Sequence, residues 1–289
     1  MDVLEHNGET YQRQGDSWIN IKTSIKPPLV IIRELNLKWS AMPRSGSPAP
    51  VKSTGARPKK HPGRDFMGLK EYDFSTDTTG THWRREETLK GLLTHRLSTA
   101  TGRNFESRAI SYRPQVLIGE PPRFDKANVG GFNLRKAKFN FRLDEKKARY
   151  SLYIEKSDKP MDATWEWPIF LEALQKPEIV SYLEGLMENL GLHFHIELTE
   201  KEKKVSYREF AVHHEGSLVF LEEAEQSPIT WNELFITLKE IRDTDWCDVN
   251  LGCVMSKEEA IDRGAEIATP VVDLYLALLR LYDACKRKE

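Results

Sequence analysis

The stretch FNFRLDEKKARYSLYI, Phe139 to Ile154, decides the fold class. Apolar and polar residues alternate over Phe139-Asn140-Phe141-Arg142-Leu143 and again over Tyr150-Ser151-Leu152-Tyr153-Ile154. The short charged run Asp144-Glu145-Lys146-Lys147 separates them. A period of two residues marks a strand with one buried face, so the stretch reads as a β-hairpin.

Outward from the hairpin toward the C-terminus, helical and strand periods follow in turn. Trp167 to Gln175 places apolar residues at 167, 170, 171 and 174, a helical spacing. Pro177 to Leu190 gathers Ile179, Leu183, Leu186, Met187 and Leu190 on one face, with Gly191 as the stop. Leu192 to Leu198 alternates strictly, and a charged turn at Lys201–Lys204 leads into a second strand over Val205–His213. A further strand is expected at Ser217–Leu221 and a helix at Thr230–Ile241. Ser256-Lys257-Glu258-Glu259 carries a capping-box pattern, and Thr269-Pro270 opens a last amphipathic helix to about Lys286. The expected architecture is α+β, an antiparallel sheet flanked by helices.

Toward the N-terminus the organisation is segmented. Residues 1–39 read as a small hairpin-helix unit, with strands around Gly15-Asp16 and a helix opened by Pro27-Pro28. Residues 40–64 form a Pro/Gly-rich basic linker, because five prolines and almost no large apolar residue cannot offset chain entropy. Residues 65–138 are a basic mixed segment, either packed on the C-terminal sheet or an independent piece. A helix is expected over Thr81–Leu97, from apolar residues at 89, 92, 93 and 97. Beyond it come turn-rich segments at Tyr112-Arg113-Pro114 and Glu120-Pro121-Pro122-Arg123. Residues 139–289 make up an acidic α+β domain.

A net charge of −1 conceals a division. Residues 41–138 hold 19 Lys/Arg against nine Asp/Glu, a surplus of +10, while residues 139–289 carry −11. Such asymmetry argues about partners rather than about fold. The positive run VKSTGARPKKHPGR, Val51 to Arg64, lies on the linker. With basic residues further along the chain, it gives a candidate nucleic-acid-binding set: Lys52, Arg57, Lys59, Lys60, Arg64, Arg84, Arg85, Arg96, Arg103, Arg108 and Arg113. Lys136 and Lys138 extend the series, and Trp83, Phe105, Tyr112, Phe124 and Phe132 lie among it, available for stacking or for packing.

The expectation is a nucleic-acid-binding accessory or regulatory protein without sequence specificity. The alternative is a protein–protein adaptor or inhibitor using acidic residues such as Glu222, Glu223, Glu225, Asp243, Asp245 and Asp248. A metal-dependent nuclease comes third. Glu145-Lys146-Lys147 and Glu202-Lys203-Lys204 fall in turns, where a pre-organised site lacks support. Glu155, at a strand end, and Asp158 are better placed carboxylates, but the sequence identifies no partner for them.

His193, His195 and His213 come nearest to a metal-ligand pattern, yet the two on the first strand fall on the side opposite its apolar residues. No metal or cofactor is expected. Neither a phosphate-binding P-loop nor a Gly-x-Ser-x-Gly elbow occurs, so catalysis finds no motif to support it. Three cysteines without a CxxC suit free thiols in a reducing, cytoplasmic setting. The longest apolar run falls far short of the ~20 residues that span a bilayer, so no membrane partner is expected. The first residues lack a basic start followed by an apolar stretch, so no secretory leader is expected.

Overall fold

The computed structural model describes residues 3–6, 8–14, 17–23, 62–75, 82–110, 113–121, 135–200, 205–212, 218–220 and 229–286. The chain forms two compact units, Met1–Lys59 and Lys60–Glu289. In the first, β1 (Val3–His6), β2 (Glu9–Gln14) and β3 (Ser17–Asn20) make a three-stranded antiparallel meander. Leu4 and Tyr11 face each other across β1 and β2, and both are buried, as is Trp18. The helix expected after Pro27-Pro28 and the linker up to His61 lie outside the described residues.

The second unit is built on an eight-stranded antiparallel sheet. Its strands are β4 (Glu106–Ala109), β5 (Gln115–Gly119), β6 (Lys138–Leu143), β7 (Lys147–Lys156), β8 (His193–Thr199), β9 (Val205–Val212), β10 (Leu218–Phe220) and β11 (Trp246–Ser256). The spatial order is β10-β9-β8-β11-β7-β6-β5-β4. Two meanders, β4 to β7 and β8 to β10, are therefore joined along the last strand, β11. The stretch from Phe139 to Ile154 forms the β6–β7 hairpin, closed at Leu143 opposite Ala148. Asp144 shapes its turn by accepting from the backbone N–H groups of Lys146 and Lys147, both at 2.9 Å.

Helices cover one face of this sheet. They are α1 (Leu89–Thr101), α2 (Trp167–Ala173), α3 (Pro177–Leu190), α4 (Trp231–Lys239), α5 (Lys257–Asp262), α6 (Ala268–Ala277) and α7 (Leu279–Ala284). The alternate apolar residues of the strands meet them: Phe139 and Phe141 of β6, Leu152 and Ile154 of β7, Phe194 and Ile196 of β8, Val249 and Leu251 of β11. Phe139 stacks on Tyr275 and on Tyr282, with ring centroids 4.7 and 4.8 Å apart. Tyr275 donates its hydroxyl to the Asn140 carbonyl at 2.8 Å, which satisfies the one polar atom of a wholly buried ring. No helix among the described residues is long and apolar enough to cross a membrane.

Four local expectations change. The helix expected from Thr81 begins only at Leu89, because Thr88 is extended and donates its hydroxyl back to the His82 and Arg85 carbonyls, at 2.6 and 2.9 Å. The residues before it form a short 3₁₀ turn that buries Trp83 edge-on against Phe141. The turn-rich region contains β4 and β5, and these add residues of the basic segment to the main sheet. The last helix starts at Ala268 and breaks between Ala277 and Leu279. Finally β11, unanticipated, is the central strand. Its ten-residue register with β7 runs from Cys247 opposite Lys156 to Ser256 opposite Lys147.

Lys156 fixes the entry to that strand. Only 3% exposed, its ammonium donates to the carbonyls of Ser157 (3.0 Å), Arg242 (2.8 Å) and Asp245 (3.2 Å).

Truncating Phe139 to Ala removes the centre of the aromatic stack and should cost about 3–5 kcal/mol. Urea denaturation followed by circular dichroism measures this, and a loss under 1 kcal/mol would contradict the packing described.

Candidate functional site

Residues directly opposite each other in neighbouring strands share a face, so the registers define rows across the side away from the helices. One row reads Glu155, Asp248, Glu197 along β7, β11 and β8. The next reads Lys138, Tyr153, Asn250, His195 from β6 to β8. A third reads Asn140, Ser151, Gly252, His193, and a fourth begins Arg142, Arg149. The residues that strand period two turns away from the helices are mostly polar, with Leu117 opposite Asn140 and Val254 opposite Arg149 as apolar members of the same face.

This face is concave. Arg142 Nη1 lies 3.6 Å from Glu197 Oε2, although β7 and β11 separate their strands. A flat sheet would hold those strands about 14 Å apart, at ~4.8 Å per step, before counting the offset along them. At its centre Asn250 Oδ1 accepts from Asn140 Nδ2 and from Ser151 Oγ, both at 3.0 Å. Gly252 has to be glycine, since a Cβ there would meet the Tyr150 carbonyl at 2.1 Å.

Glu155 and Asp248 are the chemical focus. They are 5% and 3% exposed on the two central strands. Tyr153 donates its hydroxyl to Glu155 Oε1, and Trp246 Nε1 donates to Asp248 Oδ1 at 2.7 Å. Arg113 Nη1 stands 3.6 Å from Asp248 Oδ2. Glu155 Oε2 is buried and has no hydrogen-bond partner. Lys138, 1% exposed, donates to the Lys136 carbonyl at 2.7 Å and lends its charge to Glu155.

Burial first, and then the charge of Asp248, push the Glu155 carboxyl up to about 8, against the opposing pull of Lys138, Tyr153 and Arg113. Burial also lifts Asp248 to about 6; the Trp246 hydrogen bond opposes this, Glu197 adds to it and Arg113 opposes it. The two carboxyls are coupled across the strands and titrate as a pair, each held toward its protonated form by burial. Such a pair, on rigid strands and flanked by a lysine and an arginine, can hold or release a proton or ligate a cation.

The basic residues expected to bind nucleic acid divide sharply. Arg84 points inward: Nη1 donates to the Ile110 carbonyl and, at 3.2 Å, to that of Arg113, so it shapes the loop that carries Arg113. Arg96 Nη1 donates to Thr269 Oγ1 at 3.0 Å and ties α1 to α6. Arg103 is locked between Glu120 (2.8 and 3.1 Å) and Asp283 (2.9 and 3.1 Å). Those bonds and that of Lys286 overcome burial and draw Glu120 down to about 2.

Arg108 is on the exposed edge strand β4, in the row of Asn140, and Arg113 reaches the acid pair. Arg64 and Arg85 line one open pocket of about 490 Å³ with Asp65, His82, Glu87 and Thr88. Lys52, Arg57, Lys59 and Lys60 lie outside the described residues.

His193 and His195 line a hollow of about 10 Å³ with Arg149, Ser151 and Asn250, room for about one water. His213 lies outside the described residues, and among those described no group of three or more His, Cys, Asp or Glu is placed to hold a metal. Of the carboxylates weighed for a metal site, Glu145 is exposed in its turn, Asp158 is exposed after β7, Glu202 lies outside the described residues, and Glu155 is built in. Its partner Asp248 was legible only as an acidic residue. The alternation of Cys247, Val249, Leu251, Cys253 and Met255 was the signal that would have placed it on a strand. Comparison with protein-family models, with curated proteins and with solved structures found no match.

Two outcomes are expected. A proton that the folded chain keeps on Glu155 and the unfolded chain releases stabilises fully below about pH 4.5, and that stability is lost as pH rises through about 8. Urea midpoints in metal-free buffer should fall across this window, and Glu155→Gln should flatten the slope; Tyr153, Asp248, Lys138 and Arg113 are the groups facing it. Separately, Arg103→Ala should destabilise by roughly 2 kcal/mol, from broken charge-assisted hydrogen bonds, as read by thermal melting.

Proposed function

We propose that the chain binds nucleic acid without sequence specificity, and that the contact surface is the concave polar face of the large sheet. The observation that supports this reading is the convergence of Arg108, Arg113, Arg142 and Arg149 on that one face, above the buried charge of Lys138. The carboxylates paired with these four arginines stand at 3.6–3.8 Å: Glu106, Asp248, Glu197 and Asp144. Those are ion-pair distances, longer than the 2.8–3.1 Å hydrogen bonds that Arg103 makes with Glu120 and Asp283.

A phosphate, with more acceptor oxygens than a carboxylate, can compete with these carboxylates for the guanidinium groups. The concavity suits a backbone laid along it. The positive linker adds a diffuse attraction that depends on salt rather than geometry. The adaptor reading draws less support, because Asp245 is buried and bound to Arg242 at 2.7 Å, and residues 222–225 lie outside the described residues.

Fluorescence anisotropy of the full chain with labelled single-stranded DNA, duplex DNA and RNA across a salt series tests this. Replacing Arg142 and Arg149 by Ser should weaken binding about tenfold and make the log–log salt slope shallower by about 1.5, from ~0.7–0.9 per phosphate lost. Replacing Lys52, Arg57, Lys59 and Lys60 by Ser should weaken it less. Absence of binding at low salt would overturn the proposal, as would loss in the linker variant with none in the face variant.

A further inference from the structure

We propose that Glu155 and Asp248 form a binding site for a divalent cation of the magnesium class, at one end of the polar face. The two residues are directly paired across β7 and β11, in the middle of an eight-stranded sheet, where the backbone fixes their separation. Each carboxylate is oriented in the same way, by a donor two residues earlier on its own strand and therefore on its own face. Tyr153 binds Glu155 Oε1, and Trp246 binds Asp248 Oδ1. Glu155 is thus held by one oxygen and leaves Oε2 without a hydrogen bond, while the second oxygen of Asp248 faces Arg113 at 3.6 Å, an ion pair that an entering cation would replace. Outer hydrogen bonds of this kind are what set ligating carboxylates in place.

The independent mark of a missing ligand is Glu155 Oε2, buried and without a hydrogen-bond partner. A buried carboxylate oxygen left so is rare in a native fold, and the group that relieves it must be a proton, a water or a cation. The neighbouring carboxyl favours the cation, since one divalent ion offsets both charges. Glu197, next in the row, is held toward Arg142 at 3.6 Å and is not counted as a ligand. Two carboxylates suffice for magnesium, which keeps several waters and completes its shell with substrate phosphate. With the ion bound, Lys138 and Arg113 add their positive charge beside it. A phosphate oxygen of nucleic acid is then the natural remaining ligand, a clause that rests on the function proposed above.

The test uses the full chain and Mn²⁺ alone as probe, with free Mn²⁺ followed by electron paramagnetic resonance. One Mn²⁺ per chain is expected, displaced by excess Mg²⁺, with at least a tenfold loss of affinity in Glu155→Gln and in Asp248→Asn. Glu197→Gln should keep the site, and circular dichroism confirms which variants fold. No stoichiometric Mn²⁺ on the wild-type chain would overturn the site whatever the variants do, and so would equal binding by folded Glu155→Gln.

Because this arm contains no nucleic acid, its failure and that of the proposed function are separate results. In a second arm, Mg²⁺ at constant ionic strength should tighten oligonucleotide binding by the wild-type chain and not by Glu155→Gln. An equal response in both would overturn the phosphate clause.

Discussion

The double pairing of β11 governs the molecule. This strand takes ten residues of register from β7 and seven from β8, and among the described residues it alone joins the two meanders within the sheet. Because side chains alternate, a slip of one residue along either neighbour would send Val249 and Leu251 to the open side and bring Asp248 and Asn250 under the helices. The apolar cover on one side and the carboxylates on the other thus follow from a single alignment. The acid pair exists only at this seam, since Glu155 belongs to one meander and Glu197 to the other, with Asp248 between them.

The charge division along the sequence takes on a different meaning in three dimensions. A surplus of +10 in residues 41–138 does not make a uniformly positive surface. Arg84, Arg96 and Arg103 are spent on the chain's own carbonyls, hydroxyls and carboxylates, where they act as cross-links between elements distant in sequence. The cations that gather on the polar face come partly from this segment, as Arg108, Arg113 and Lys138 do, and partly from the nominally acidic half, as Arg142 and Arg149 do. The ion pairs these arginines make with carboxylates of the face stand at 3.6–3.8 Å, and the one between Arg108 and Glu106, exposed on both sides, contributes little to stability.

What was legible in the sequence was whatever local chemistry decides. The hairpin from Phe139 to Ile154 announces itself by period two, and Asp144 closes its turn with its own side chain. The α3 helix ends where Gly191 takes a left-handed conformation, φ 62°, as its position predicts. The pairing of β8 with β9 follows from adjacent alternating runs. The short strands β4 and β5 escaped because prolines and arginines around them resemble a loop, and only their neighbours in the sheet make them strands. In β11 the alternation was present but masked by Asp248, Asn250 and Gly252, residues that disfavour strands in isolation. The candidate site shared that fate. Glu155 stood out at a strand end, but its relation to Asp248 is a matter of register between segments some ninety residues apart, which no local pattern encodes.

Lys156 has a consequence of its own. Three backbone carbonyls around one ammonium group form the kind of oxygen cage in which a monovalent ion would otherwise lodge. Here the ion is covalently tethered to the chain. It cannot be dialysed away or chelated, and it brings none of the entropy loss of capturing a free solute. It also belongs to β7 while two of its carbonyls, those of Arg242 and Asp245, precede β11. The end of one strand thereby carries the rivet that sets where the other begins, and the seam is closed by a built-in cation rather than by a borrowed one.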